Sequence, residues 1–458
     1  MLKTLHLQNF KAWSDLNIQF GRITGIFGRN SSGKTSILQF LLLLKQTKEA
    51  TDQGLTLHLG GANELVNLGT SQQILHHPAS SSILKWELTW QLPQQLKISD
   101  PVGKQTDILF SGDQLSIKVE IEIEKQDIQT QILAYFFDNY KFEMRKGSNS
   151  SDYLLEATGK PDKKFQFIRH KGRVWKLPAP IKTHLFPDQV KTYHQNANFL
   201  GFLEQEYEDL INKIYYLGPL REPPQRNYQW SRVQPWDVGY RGERAIDAIL
   251  AANSRGEKRN LRKRGHYKTL EEMVAHWLKE LGLIEDFFVS AISPESSLYE
   301  VKVTTDKGSL PVNLADVGFG VSQILPVLVL VYYVPEGSII IMEQPEIHLH
   351  PSAQSGLADV LLQVAHHRNL SIVVESHSEH LLRRFQRRVA EGEYLAPDIK
   401  LYFCDRVDGR SQLQDLHVNQ FGEIQNWPQD FFGDGLGEIT ATRMATLQRK
   451  IQQENQPV

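Results

Sequence analysis

Eight residues near the start of the chain, Gly28-Arg29-Asn30-Ser31-Ser32-Gly33-Lys34-Thr35, satisfy the pattern G-x-x-x-x-G-K-[ST] of a phosphate-binding loop. Glycines let backbone N–H groups turn toward phosphate oxygens, and the start of a following helix favours the same negative charge. In such a loop Lys34 reaches the β- and γ-phosphates, and the Thr35 hydroxyl completes a magnesium shell. Far downstream, Ser338-Ile339-Ile340-Ile341-Met342-Glu343-Gln344-Pro345-Glu346 reads as a buried strand that delivers carboxylates to a rim. Glu343 ends its apolar run, where a carboxylate holds magnesium directly or through water. Gln344 stands where a hydrolytic site often has a second carboxylate. A glutamine orients water but cannot take its proton, so slow turnover or a different base is expected. Glu346 is the nearest substitute, on the same face as Gln344 if the strand runs on through Pro345. His377 closes a second apolar strand, a position suited to sensing a γ-phosphate or stabilising its transition state.

These groups need elements to hold them. Alternation of Leu5, Leu7, Leu16, Ile18 and Phe20 predicts a β-hairpin with its turn in 9–15. Residues 23–27 form a short apolar strand into the loop, and the leucine-rich stretch 36–45 the helix after it. Strand, Gly-rich loop and helix is the context the motif requires. Between 83 and 195 the texture changes: Leu115, Ile117, Val119, Ile121 and Ile123 alternate with polar residues, and short strands follow. This segment reads as an antiparallel β-rich insertion. Residues 196–297 read as a helical subdomain, and 298–435 as an alternation of strands and helices that completes an α/β core. The core's first half is 1–82, and 436–458 is a Gln-rich tail.

Composition sets bounds. With 458 residues, 40% of them hydrophobic and 23% charged, the chain fits an ordinary globular protein of two or three domains. Lys plus Arg (51) nearly balances Asp plus Glu (53), so no global field favours nucleic acid or membrane, and any polyanion contact is local. The single cysteine, Cys404, excludes an intrachain disulfide framework and a cysteine-based zinc site. His348 and His350 are two apart with no obvious third ligand, a weak basis for a metal site. The opening residues lack the uninterrupted apolar core of a signal peptide, and the longest apolar run, 324–334, is short of the ~20 residues of a membrane helix. A cytoplasmic protein is expected, with no membrane partner.

In this order the motifs resemble ABC-type ATPases of the RecF, SMC and OLD branch. The nearest likeness is to stand-alone, defence-associated bacterial AAA-type ATPases that carry "GRNSSGKTS" early and "MEQPEIHLHP" and "ESHSEHLL" late. The resemblance covers 1–75 and 310–435, including "NWPQDFFGDG" at 426–435. It implies a P-loop NTPase fold of α/β class with an ABC-type head, the antiparallel β-rich insertion and the helical subdomain. Asn30, Ser31, Ser32, Gly33, Lys34, Thr35 and Ser36 would bind nucleotide, Thr35 and Glu343 would hold Mg2+, and His377 would be the switch histidine. Gln72 or Gln73, after Asn67-Leu68-Gly69-Thr70-Ser71, would be the Q-loop glutamine. Gly318-Phe319-Gly320-Val321-Ser322 would be the signature loop that completes the partner subunit's ATP site, with its serine replaced by Gly318 or displaced to Ser322. ATP then joins two protomers head-to-tail. The branch often carries a nuclease domain after its ATPase, but no carboxylate cluster stands out past His377.

Partners follow from the same reading. Lys258, Arg259, Arg262, Lys263 and Arg264 form the densest basic stretch, and Arg383, Arg384, Arg387 and Arg388 a second. Basic runs neutralise phosphates, and without interleaved aromatics any DNA contact is sequence-independent. The reading is an ATP-gated homodimer or higher oligomer that works on or guards nucleic acid, in genome maintenance or antiviral defence, with a separately encoded effector possible. The alternative is a nucleotide-dependent scaffold with little turnover, which Gln344 favours. A small-molecule kinase would leave His377 and the signature-like turn without a role.

Overall fold

Alternating apolar residues put one face of the opening hairpin in the interior. In the computed structural model, which describes residues 1–77, 81–99, 108–125, 127–147, 152–159, 165–171, 176–260, 267–428 and Met444, the hairpin consists of antiparallel β1 (Leu2–Phe10) and β2 (Trp13–Gln19). β3 (Ile23–Gly28) then enters the Gly-rich loop and α1 (Lys34–Glu49) leaves it, as the motif requires. Five strands follow: β4 (Ile83–Ser99), β5 (Ile108–Glu124), β6 (Asp127–Phe137), β7 (Tyr140–Lys146) and β8 (Tyr153–Thr158). Next come α2 (Asp188–Tyr193), α3 (Leu200–Asn212), β9 (Ile214–Leu217), β10 (Tyr228–Gln229) and α4 (Ala245–Ser254). β11 (Lys258–Asn260), β12 (Tyr267–Thr269), α5 (Leu270–Glu280), β13 (Asp286–Ala291), β14 (Leu298–Thr304) and β15 (Val312–Asn313) lead to α6 (Phe319–Tyr333). The chain continues through β16 (Ile339–Glu343), α7 (Pro351–His367), β17 (Ser371–Glu375), α8 (Glu379–Ala390), β18 (Ile399–Val407) and β19 (Arg410–Leu416).

Two large sheets result. One has seven antiparallel strands in the order β2-β1-β4-β5-β6-β7-β8, and the other six in the order β19-β18-β3-β17-β16-β9, parallel except for β19. The strands of 83–158 are therefore not a sheet of their own: β4 pairs with β1, so they extend the opening hairpin. Within 196–297 the expected helices are joined by strands. Ile214–Leu217 becomes the edge of the parallel sheet, and Asp286–Ala291 pairs with β14. A run of four apolar residues is too short for its periodicity to separate strand from helix.

The parallel strands are buried on both faces and read as near-continuous apolar runs. Ile339, Ile341 and Val373 point into one core with the seven-stranded sheet, α1 and α3. Ile340, Met342, Ile372 and Val374 point into the other, with α4 to α8. α1 is thus clamped between two sheets, with Phe40 edge-on to Phe10 and to Trp86. Four consecutive leucines, 41–44, are buried around the helix, so its packing rather than amphipathicity holds it.

α6 is buried all round from Val321 onward and needs partners for its last carbonyls. Arg368, only 7% exposed, donates to Val331 O and Val334 O at 2.6 Å each, and Arg259 donates to the carbonyls of Tyr332 and Tyr333. Arg368→Ala strands those buried oxygens, and a loss of about 2–4 kcal/mol is expected from two charge-assisted bonds. It should appear as a clear drop in the thermal or urea midpoint; an unchanged midpoint would contradict this account of the helix.

Candidate functional site

In a parallel sheet the loops at the carboxyl ends of adjacent strands form one rim, and ligands bind there. β3, β17 and β16 lie side by side, so the Gly-rich loop, the loop after Glu375 and the loop after Glu343 converge. Register makes this exact to the residue: Glu343 pairs with Glu375, and Glu375 with Ile26.

The phosphate-loop residues 28–36 bridge β3 and α1. Gly28 (φ 140°) and Gly33 (φ 99°) take conformations that favour glycine. A Cβ on Gly28 would meet the Cys404 carbonyl oxygen at 2.1 Å, because β18 runs against β3 here. Ser32 is buried and its hydroxyl donates to Arg29 O at 2.8 Å, closing the loop on itself; Arg29, Asn30 and Ser31 are exposed. Lys34 is only 3% exposed and its Nζ donates to Arg29 O at 2.7 Å and Gly28 O at 3.2 Å. Burial lowers its pKa, and the Glu375 charge opposes that. Ser36 sits in the first turn of α1, half-buried.

Three buried carboxylates face this loop. Glu343 Oε1 accepts from Tyr216 Oη at 2.8 Å, and Arg221 Nη2 donates to the Glu343 carbonyl at 3.3 Å. Burial raises the Glu343 pKa; Tyr216 and Arg221 oppose the rise. Glu375 Oε1 accepts from Thr35 Oγ1 at 3.0 Å, so Thr35 links the loop to β17. Burial, then the Glu343 charge, push Glu375 up to about 7 against Lys34 and Thr35. Glu346 Oε1 accepts from Ser376 Oγ at 2.7 Å and from the His377 backbone N–H at 2.9 Å, and burial raises its pKa too. One oxygen of Glu375 and one of Glu346 have no partner, nor do two nitrogens of buried Arg221. Unpaired buried charge is costly, so these atoms are candidate contacts for a ligand.

Several sequence expectations change here. The strand ends at Glu343, and Gln344 takes a left-handed conformation (φ 44°) with its N–H on the Glu375 carbonyl at 2.8 Å. Pro345 follows in a turn, so Gln344 and Glu346 do not share a strand face, and Glu346 braces the loop that carries His377. The His377 side chain is exposed at the rim; burial and Lys34 lower its pKa, while a hydrogen bond to the Gly28 backbone opposes them. Gln72 and Gln73 lie in a short 3-10 turn and, with Ser31, line a cavity of about 490 Å³ beside the loop. Gln73 Oε1 accepts from Thr70 N at 2.8 Å and Gln72 Nε2 donates to Lys125 O at 3.2 Å. Gly318 and Phe319 stand exposed at the start of α6, Gly320 is half-buried, and Ser322 is buried with its hydroxyl turned back to Phe319 O at 3.0 Å.

Glu375 is the residue that motif reading passed over. Its signal was present: a carboxylate closing an otherwise apolar strand, as Glu343 does. The basic stretches are also altered. Arg259 caps α6, and Lys258 lies in a two-stranded ribbon; Arg262, Lys263 and Arg264 fall outside the described residues. Arg384 and Arg388 both pair with Asp359, Arg383 with Glu379 and Arg387 with Glu391, so α8 is not an open cationic face. His350 Nδ1 meets Ser352 at the start of α7, and no group of three His, Cys, Asp or Glu side chains among the described residues could hold a metal. Most of 426–435 and all but Met444 of 436–458 lie outside the described residues. Among the described residues no helix is long and apolar enough to cross a membrane.

A search of curated proteins found no match. Among solved structures, the head domain of an Smc protein bound to the C-winged helix domain of ScpA is similar over 91% of this chain and 98% of its own, at 10% identity and TM-score 0.46. The SMC head domain from Thermotoga maritima gives 12% identity over 91% and 99%, TM-score 0.40. The Smc head domain from Pyrococcus furiosus, with an extended coiled coil and bound to the C-terminal domain of ScpA, gives 10% over 91% and 96%, TM-score 0.42. Residues 396–441 match a family described as a protein of unknown function (DUF3696), and residues 1–382 match the model described as an AAA ATPase domain. The match over 1–382 takes in the phosphate loop, the acidic strand and the switch-like loop alike: the chain belongs to the AAA ATPase domain family.

Proposed function

We propose that the chain binds ATP with magnesium at the carboxyl ends of β3, β16 and β17, hydrolyses it slowly, and uses the bound state to join two copies. One observation carries the reading: Lys34, Glu343 and Glu375 are buried on one rim, with half-buried Thr35 bonded to the Glu375 carboxylate across the strand end. The donor set fits magnesium, which takes one or two carboxylates, a hydroxyl, water and the substrate's own phosphates. Thr35 and Glu343 would hold it, and when bound it would neutralise charge developing on the phosphates.

The protein's own groups do the rest. The N–H groups of 30–36 face the phosphates, and Lys34 exchanges the carbonyls of Gly28 and Arg29 for phosphate oxygens. Gln344, held half-buried by the Glu375 carbonyl, orients water without accepting its proton. His377, positioned through its backbone by Glu346, would meet the γ-phosphate. Gly318 and Phe319, the latter 67% exposed at the α6 N-terminus, are free to meet a second copy's nucleotide, whereas the inward-turned Ser322 is not. Work on or guarding nucleic acid, in genome maintenance or antiviral defence, rests on the sequence resemblance. A scaffold that holds ATP to recruit a separate effector is the second reading, and Gln344 favours it.

Two outcomes test this. The mass of the protein by light scattering should double with ATP and magnesium. In Lys34→Ala, which loses charge-assisted bonds, nucleotide affinity should fall about 10–100-fold and the mass should stay that of one chain. A monomer that releases phosphate rapidly would contradict the composite site. Gln344→Glu should raise the phosphate-release rate at least about tenfold if a missing proton acceptor limits turnover. An unchanged rate would put the limiting step elsewhere.

A further inference from the structure

We propose that Glu375 is a second carboxylate ligand of the magnesium that accompanies the nucleotide, supplied by the strand between the phosphate loop and the acidic strand. The inference rests on the ATP reading above and names a role that neither Gln344 nor Glu346 fills.

Geometry carries it. Glu375 is only 3% exposed, and Oε2 has no hydrogen-bond partner although it is buried. Its other oxygen accepts from the hydroxyl of Thr35, the loop residue whose place is beside the metal. Glu343 lies directly across the parallel pair of β16 and β17, with its Oε1 already committed to Tyr216. The Glu375 carboxylate and the Thr35 hydroxyl are thus joined, with Glu343 in register on the neighbouring strand and one Glu375 oxygen unsatisfied. A fold that buries a second acidic group beside Glu343, with no hydrogen-bond partner for its free oxygen, gains a counter-charge when a cation arrives. Because no group of three His, Cys, Asp or Glu side chains among the described residues could hold a metal by itself, the cation needs the phosphates as further ligands. Magnesium should therefore bind together with nucleotide and not alone.

The competing role is a positioning one: Glu375 would only orient the Thr35 hydroxyl. The test compares nucleotide affinity in EDTA and in magnesium for the full chain and for Glu375→Gln, using a fluorescent ATP analogue. Mn2+ electron paramagnetic resonance then reports the bound cation directly. The amide is isosteric and removes a buried like charge, so the ligand-free variant should melt no lower than wild type. Its affinity in EDTA should stay within about twofold of wild type, while the gain that magnesium gives should fall at least about tenfold, with Mn2+ affinity falling in parallel. Glu375→Asp should restore part of the gain. An undiminished magnesium gain in Glu375→Gln overturns the proposal, including the case where only turnover falls. Wild type without nucleotide affinity would instead overturn the ATP reading itself.

Discussion

The rim of the parallel sheet holds Lys34, Glu343, Glu346 and Glu375 with almost no access to water, and this burial of opposed and like charges is the constraint on which the rest of the structure depends. Charge can be kept there only if each group has partners or a ligand takes their place. Lys34 leans on its own loop's carbonyls, Thr35 closes on Glu375, Tyr216 on Glu343, and Ser376 with the His377 N–H on Glu346. The atoms left over belong to Glu346, Glu375 and Arg221, all around the same rim. On the proposed reading these protein contacts stand in for those a nucleotide would make, and binding would be an exchange of partners with little rearrangement of strands.

Holding that rim requires rigid strands behind it. Apolar residues on both faces of β16 and β17 anchor them in two separate cores, so neither carboxylate can withdraw without disturbing packing on one side or the other. α1 is fixed between the two sheets and keeps Thr35 within reach of Glu375. α6 connects the same core to the surface: its carboxyl end is tied to Arg368 and Arg259, while its amino end presents Gly318 and Phe319. The rim and the exposed amino end of α6 are thus joined through one packed layer.

Much of this was legible in the sequence because its signals are local. The Gly-rich loop between a strand and a helix, the apolar run ending in Glu343 and the strand before His377 each declare themselves within about ten residues. Partnership across strands is not local. Nothing in 371–378 says that Glu375 will lie in register with Glu343, because that pairing depends on sheet order. The same limit explains β9, whose four apolar residues joined the nucleotide sheet, and β4, whose partner is the opening hairpin. Charge runs misled for a related reason: the arginines of α8 find carboxylates on their own helix and on α7, and Arg259 serves a helix end far along the chain.

The central claim is that nucleotide with magnesium takes over contacts the protein now makes with its own buried charges. Thermal melting of the wild-type chain with and without ATP and magnesium tests it most directly. A ligand that binds only the folded state adds about 2.7 kcal/mol at a hundred times its dissociation constant, so the melting temperature should rise by several degrees, and by more with magnesium than without. A melting curve indifferent to saturating ATP and magnesium would contradict the account.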